Sequence, residues 1–191
     1  MADPAQRRMS VEEFFDWDGG GNIRHQLRDG VPVAMAPPAP AHAALVSNLV
    51  IELGGALRDR PNCSVQTEVG VRSATNSRSY HQVDIGVSCV PIAFDAREIA
   101  EPILLIEVLS PSTADDDRDV KLPDFRMLDS VQEIVLINSR RRICEVHRRT
   151  PDDRWIVDLL RRPDDRLRLT SVSLDVPLST VYAHVPLEEA S

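Results

Sequence analysis

Lysine is all but missing from this chain. Among its 22 basic residues Lys121 is the single lysine, and the rest are arginines. Cysteine is scarce too: Cys63, Cys89 and Cys144 are odd in number, far apart and lack any C-x-x-C pair. That spacing suggests neither a disulfide framework nor a zinc site, and the three are expected to be small core residues. No membrane span is expected, because the longest charge-free stretch, Val31 to Ile51, is broken by Pro32, Pro37, Pro38 and Pro40. No basic segment followed by an apolar one marks a signal peptide at the start, so the expected location is the cytoplasm. Positive charge is also in deficit. A formal net charge of −8 argues against strong non-specific binding to nucleic acid.

The 191 residues suit one domain with a real core, expected over 10–185 between short tails at 1–9 and 186–191. Charge is unevenly spread. From Asn138 to Thr170 there are 10 Lys/Arg against 6 Asp/Glu, a balance of +4, which leaves 12 against 24, or −12, elsewhere. This pattern fits a nucleic-acid face beside a metal-binding face, and equally fits arginines decorating the solvent side of a sheet.

Ser10 and Glu13 stand at capping-box spacing and open a short helix through Phe14, Phe15 and Trp17. Asp29-Gly30 marks the turn of a hairpin. Leu45, Leu49, Leu53 and Leu57 repeat every four positions and predict one long helix. Strands are expected over 63–72, 81–89, 102–110 and 133–139, with a further hairpin after Arg142 and a last short strand at "RLRLTS". A surface helix, kinked or restarted at Pro123, is expected in "ADDDRDVKLPDFRMLDSV". The order suggests an α/β or α+β domain, a mixed sheet flanked by helices.

Glu107 is the anomaly. It lies within "LLIEVLS", a run apolar enough to be a strand covered on both faces, where an unpaired carboxylate is very costly. Asp84 interrupts another β-rich segment in the same way. If the two strands are neighbours, the carboxylates converge and repel unless a cation lies between them. A hard cation such as Mg²⁺ takes carboxylate and carbonyl oxygens. Lys121 follows Glu107 by fourteen residues and returns to it if the intervening helix folds back along its strand. The plainer alternative makes Asp84 a turn residue and Lys121 an ordinary surface lysine.

The stretches "LRDGVPVAMAPPAPAHAALVSNLVIELGGAL", "VDIGV" and "LLIEVLSPSTADDDRDVKLPDF" resemble the Uma2 (Uma-two) family of restriction-endonuclease-like proteins, assigned to the PD-(D/E)XK nuclease fold. The resemblance runs from about Ser10 to Val181, and its most specific element is "EVLSPST" followed by Asp117 and Lys121. It implies Mg²⁺-dependent hydrolysis of phosphodiester bonds, with Mn²⁺ as a possible substitute ion, and DNA as the expected substrate. It makes Asp84, Glu107 and the carbonyl of Val108 the metal ligands. The wider superfamily carries its lysine two residues after the glutamate, which is Leu109 here; the family supplies it from the next helix, as Lys121. Where the family has a glutamate in its hairpin, this chain has Gln26, which cannot add negative charge. The nuclease "P-D" is Val83-Asp84 here.

His42 stands where the family tends to have histidine and could reach a phosphate or the Gln26 region, or simply cap and pack its helix. Asp117 could orient Lys121 four residues on. Ser110, Ser112 and Thr113 read as the turn and N-cap before the acidic helix, since no G-x-S-x-G elbow surrounds them. His81, three residues before Asp84, should point to the opposite face. Cutting two strands would suit a homodimer. A nuclease relative of little or no activity, serving as a nucleic-acid- or protein-binding module, is the second expectation, and Gln26 favours it. A general soluble protein with structural carboxylates is the third.

Overall fold

The structure, a computed structural model, describes residues 8–19, 23–110 and 114–188. Ser112, Thr113 and most of both expected tails lie outside the described residues.

Helix α1 (Val11–Asp16) opens with a capping box: the Glu13 amide donates to Ser10 Oγ at 3.1 Å, and the Ser10 amide to the Glu13 carboxylate at 2.9 Å. Ser10→Ala is expected to cost about 1 kcal/mol, read as a lower urea midpoint at unchanged slope. The hairpin of β1 (His25–Arg28) and β2 (Val31–Ala34) turns at Asp29 and Gly30, both at positive φ (43° and 79°), as the tightest hairpin turn requires. A side chain at residue 30 would also collide with Arg8. Helix α2 (Pro40–Ala56) starts on a proline in its first turn and turns Leu45, Leu49 and Leu53 inward.

Strands β3 (Ser64–Arg72), β4 (Tyr80–Ser88), β5 (Pro102–Leu109), β6 (Glu133–Asn138), β7 (Cys144–Arg149) and β8 (Trp155–Leu160) join the hairpin in one sheet, ordered β2-β1-β4-β5-β6-β7-β8 with β3 on β4. Among the described pairings only β5 and β6 run parallel. A second sheet of β9 (Arg166–Leu169) and β10 (Leu174–Pro177) leads into helix α5 (Leu178–Val181).

The core lies on both faces of β5, as its uninterrupted apolar run demands. Leu104, Ile106 and Val108 face α2 and α5, whereas Leu105 and Leu109 face Leu122 and Phe125. The second group belongs to a helical segment made of α3 (Ala114–Asp116), a π turn (Asp117–Lys121) and α4 (Leu122–Arg126). This corrects the expected surface helix: Asp117, Lys121, Leu122, Asp124 and Phe125 are all buried. Polarity misled there, because the charged residues of this segment are buried against charged partners instead of water.

The cysteines require a second correction. Cys63 and Cys89 form a disulfide, and Cys144 alone is a free buried thiol. Ser64 pairs with Ser88 at the end of the β3–β4 ladder, so residues 63 and 89 are the next pair across. Their 26-residue separation hides a proximity that only the strand register creates. The expected C-terminal tail is also tied down: Leu187 packs against the core, and the Glu188 amide donates to the Arg140 carbonyl at 2.8 Å. Among the described residues no helix is long and apolar enough to cross a membrane.

Candidate active site

One edge of β4 is shared unequally. β1 meets it at Tyr80, through Leu27, and β5 meets it from Ile85 to Ser88, with Ile85 opposite Ile106. Between these contacts, at 81–84, the edge carries no strand partner. The candidate site is built in that opening.

Asp84 fills the opening from β4. Its Oδ2 accepts the Val108 amide at 2.7 Å, doing for β5 what a ladder carbonyl would have done. The Ile103 and Leu109 carbonyls accept amides of Gln132 and Ser139, beside β6, so odd residues of β5 bond toward β6. Even residues therefore turn toward β4, and the carbonyl of Val108 faces the same opening as its amide.

Glu107 enters from the face that carries Leu105 and Leu109, and is 2 % exposed. There it meets Lys121. The ammonium lies 2.9 Å from Glu107 Oε1, 3.0 Å from Asp117 Oδ1 and 2.8 Å from the carbonyl of Gln82, which sits on the open edge of β4. Three oxygens thus surround a group with three donors. The π turn places Asp117 and Lys121, four residues apart, on its buried side. Burial pushes the Glu107 carboxyl well above its usual range; Lys121 opposes this, and the nearby Asp84 and Asp117 charges add to it. Burial disfavours the Lys121 ammonium, but Glu107 and Asp117 more than reverse that and hold it above its ordinary value. The lysine is a fixed cation and a poor proton acceptor.

His42, in the first turn of α2, places Nε2 3.1 Å from Asp84 Oδ2. Burial works against protonation of this imidazole, yet the Asp84 carboxylate outweighs it and raises the pKa. Of the two uses expected of His42, the structure shows it holding Asp84. Gln26 donates from Nε2 to Asp116 at 3.4 Å, and Arg28 pairs with the other oxygen of Asp116 at 2.5 Å. The hairpin is thereby tied to the start of the helical segment. Gln26 Oε1 is a buried acceptor with no protein partner among the described residues. His81, as expected, lies apart: its Nε2 meets Asp124 at 2.6 Å on the α4 side.

The structure therefore brings Asp84, Glu107, Val108, Lys121, Asp117 and His42 to one place, with Gln26 beside it through Asp116. The sequence carried no signal for the Gln82 carbonyl, because any residue type supplies one. The pairing of Arg28 with Asp116 was likewise hidden, being one of many possible Arg–Asp pairs. The oxygens that could hold a cation are those of Asp84, Glu107 and the Val108 carbonyl. Among the described residues no group of three or more His, Cys, Asp or Glu side chains is gathered as a metal shell. Mg²⁺ does not demand one, since one or two carboxylates and several waters commonly hold it.

Comparison with known proteins gives the arrangement its context. A solved structure from Anabaena variabilis, titled a putative nuclease belonging to DUF820, superimposes with a TM-score of 0.73 at 16 % identity, covering 92 % of this chain and 98 % of that one. An uncharacterised protein of Synechocystis sp. is 26 % identical over 176 residues, 92 % of each chain. The profile of the Uma2 family, described as "Putative restriction endonuclease", matches residues 11–179, and the chain belongs to that family.

Proposed function

We propose that this protein is a Mg²⁺-dependent endonuclease that hydrolyses phosphodiester bonds, with DNA as substrate and two copies acting on two strands. The observation that carries the proposal is the buried Glu107–Lys121 ion pair set beside Asp84, at a strand edge left open. A core carboxylate of this kind costs stability, and hydrolytic chemistry gives it a use.

Asp84, Glu107 and the Val108 carbonyl are the residues that would hold the ion. When bound, Mg²⁺ supplies Lewis-acid polarisation of a phosphoryl oxygen and lowers the pKa of a water. The protein's own parts do the rest. Val108 and His42 fix the rotamer of Asp84. Asp117 and the Gln82 carbonyl aim the Lys121 ammonium at Glu107. As a cation held above its usual pKa, Lys121 orients the attacking water and offsets charge developing on the phosphate, and does not take the proton.

The test is incubation of purified protein with plasmid and single-stranded DNA in Mg²⁺, Mn²⁺ or EDTA. Cutting should require the metal and disappear in Asp84→Ala and Glu107→Ala. Equal cutting by these variants would identify a contaminant and remove the assignment. The second reading, a binding module, is favoured by Gln26, which brings an amide where a further acid could have stood. Binding without metal-dependent cutting would select it.

A further inference from the structure

The arginine-rich stretch from Asn138 onward has no part in the site described above, and most of its guanidinium groups are used within the fold. Arg149 donates to the carbonyls of Val131, Arg126 and Leu128, Arg148 pairs with buried Glu133, and Arg166 and Arg168 pair with Asp175. Arg140 and Arg141 differ. They stand just past the end of β6, beside the end of β5, at the carboxyl ends of the parallel pair of strands. The Ser139 amide and hydroxyl bond to the Leu109 carbonyl at 3.0 and 2.8 Å, which fixes this turn two residues along β5 from Glu107. Asn138 Oδ1 accepts the amides of both arginines at 2.9 Å.

The two side chains border a cavity of about 300 Å³ that reaches Ser110 and Ala114, at either end of the loop before the helical segment. One carboxylate enters it: Glu188 lies 3.2 Å from Arg140 Nη1 and 3.4 Å from Arg141 Nε. The guanidinium groups are 58 % and 69 % exposed, and ion pairs so wetted contribute little, so another anion can replace the carboxylate.

We infer that Arg140 and Arg141 form a subsite for a phosphate of a nucleic-acid strand lying across the candidate active site, and that Glu188 occupies it as an intramolecular competitor. Two forked donors beside each other suit the oxygens of a phosphodiester, and the carboxylate of Glu188 is the protein's own mimic of that group. The C-terminal segment, anchored by Leu187, thereby sets a threshold that a strand must overcome to bind. This inference extends the nuclease proposal, and its test scores binding alone, so a failure to cut DNA leaves it standing or falling independently.

A fluorescent single-stranded DNA oligonucleotide is titrated in EDTA at several salt concentrations. Glu188→Gln, which keeps the backbone bond to Arg140, should tighten binding about threefold or more. The double variant Arg140→Gln/Arg141→Gln should weaken it about tenfold at low salt and flatten the dependence of log K on log salt by about 1.4, for two phosphates lost. Asp175→Asn is the control, since it removes an equal charge from another arginine pair. Equal tightening by Asp175→Asn would reduce the effect to net charge and overturn the inference. So would an unchanged salt slope in the double variant, an absence of wild-type binding at low salt, or inorganic phosphate binding as tightly as the oligonucleotide. Thermal melts of all variants establish that each is folded.

Discussion

Lys121→Met is expected to lower unfolding free energy by about 3–5 kcal/mol and to abolish cutting, whereas Glu107→Gln abolishes cutting alone. The difference follows from charge counting at the buried cluster. In the native protein one ammonium answers two carboxylates, Glu107 and Asp117, all three side chains being at most 6 % exposed. Removing the lysine leaves two anions in a space that water does not reach, together with an unanswered Gln82 carbonyl. Removing the Glu107 charge instead leaves a balanced Lys121–Asp117 pair. Glu107→Gln should therefore be neutral or stabilising, by up to about 1–2 kcal/mol, because the burial penalty on that carboxylate vanishes. Urea melts of the two variants, run beside the plasmid assay, check both halves. Equal destabilisation by the two substitutions would show that Glu107 is a structural partner of Lys121, with no cost retained for chemistry.

The second expectation concerns acid. Between pH 7 and pH 5 the protein should lose about 2 kcal/mol of stability through His147 alone, out of about 3 kcal/mol across its whole window. His147 lies buried on β7, with Nδ1 2.7 Å from Arg126 Nη2. A guanidinium can only donate, so Nδ1 must accept and the ring must be neutral. Burial pushes the pKa down to about 4, the Arg126 and Arg118 charges add to this, and Glu145 opposes it. The sign follows: above the unfolded value near 6.5 neither state holds the proton, and the native arrangement is fully stable. As pH falls from there toward about 4, the unfolded chain takes a proton that the folded one refuses, and stability declines. His42 acts in the opposite sense over part of this range, because its folded pKa is raised. The measurement is therefore the difference between wild type and His147→Gln, whose side-chain oxygen can accept from Arg126. Parallel pH curves for the two proteins would refute the assignment.

How much of this was legible beforehand depended on whether a signal was local. Alternation along β5 is a property of consecutive residues, so the inward position of Glu107 could be read directly, as could the leucine spacing of α2 and the Ser10–Glu13 box. The return of Lys121 to Glu107 was readable once a helix was expected to follow the strand, although its burial was not, because charge density resembles solvent exposure. The Cys63–Cys89 bond, the tie between Gln26 and Asp116, and the docking of Glu188 on Arg140 all join distant segments. Each depends on strand register or loop path, which no local pattern encodes. The two short strands β9 and β10 blurred for a similar reason, since only the side of them bearing Leu167, Leu169 and Leu174 meets the core.

The scarcity of lysine has a practical consequence. The chain has one ε-amine, and it is the group enclosed by Glu107, Asp117 and the Gln82 carbonyl. A sample labelled with ¹⁵N only at lysine would give a single side-chain ammonium resonance, reporting on this cluster without assignment or background. Amine-selective acylation at neutral pH should likewise spare the folded interior and reach Lys121 only when the segment from Ala114 to Arg126 detaches. The protein thus carries a built-in spectroscopic and chemical reporter at the centre of its candidate active site.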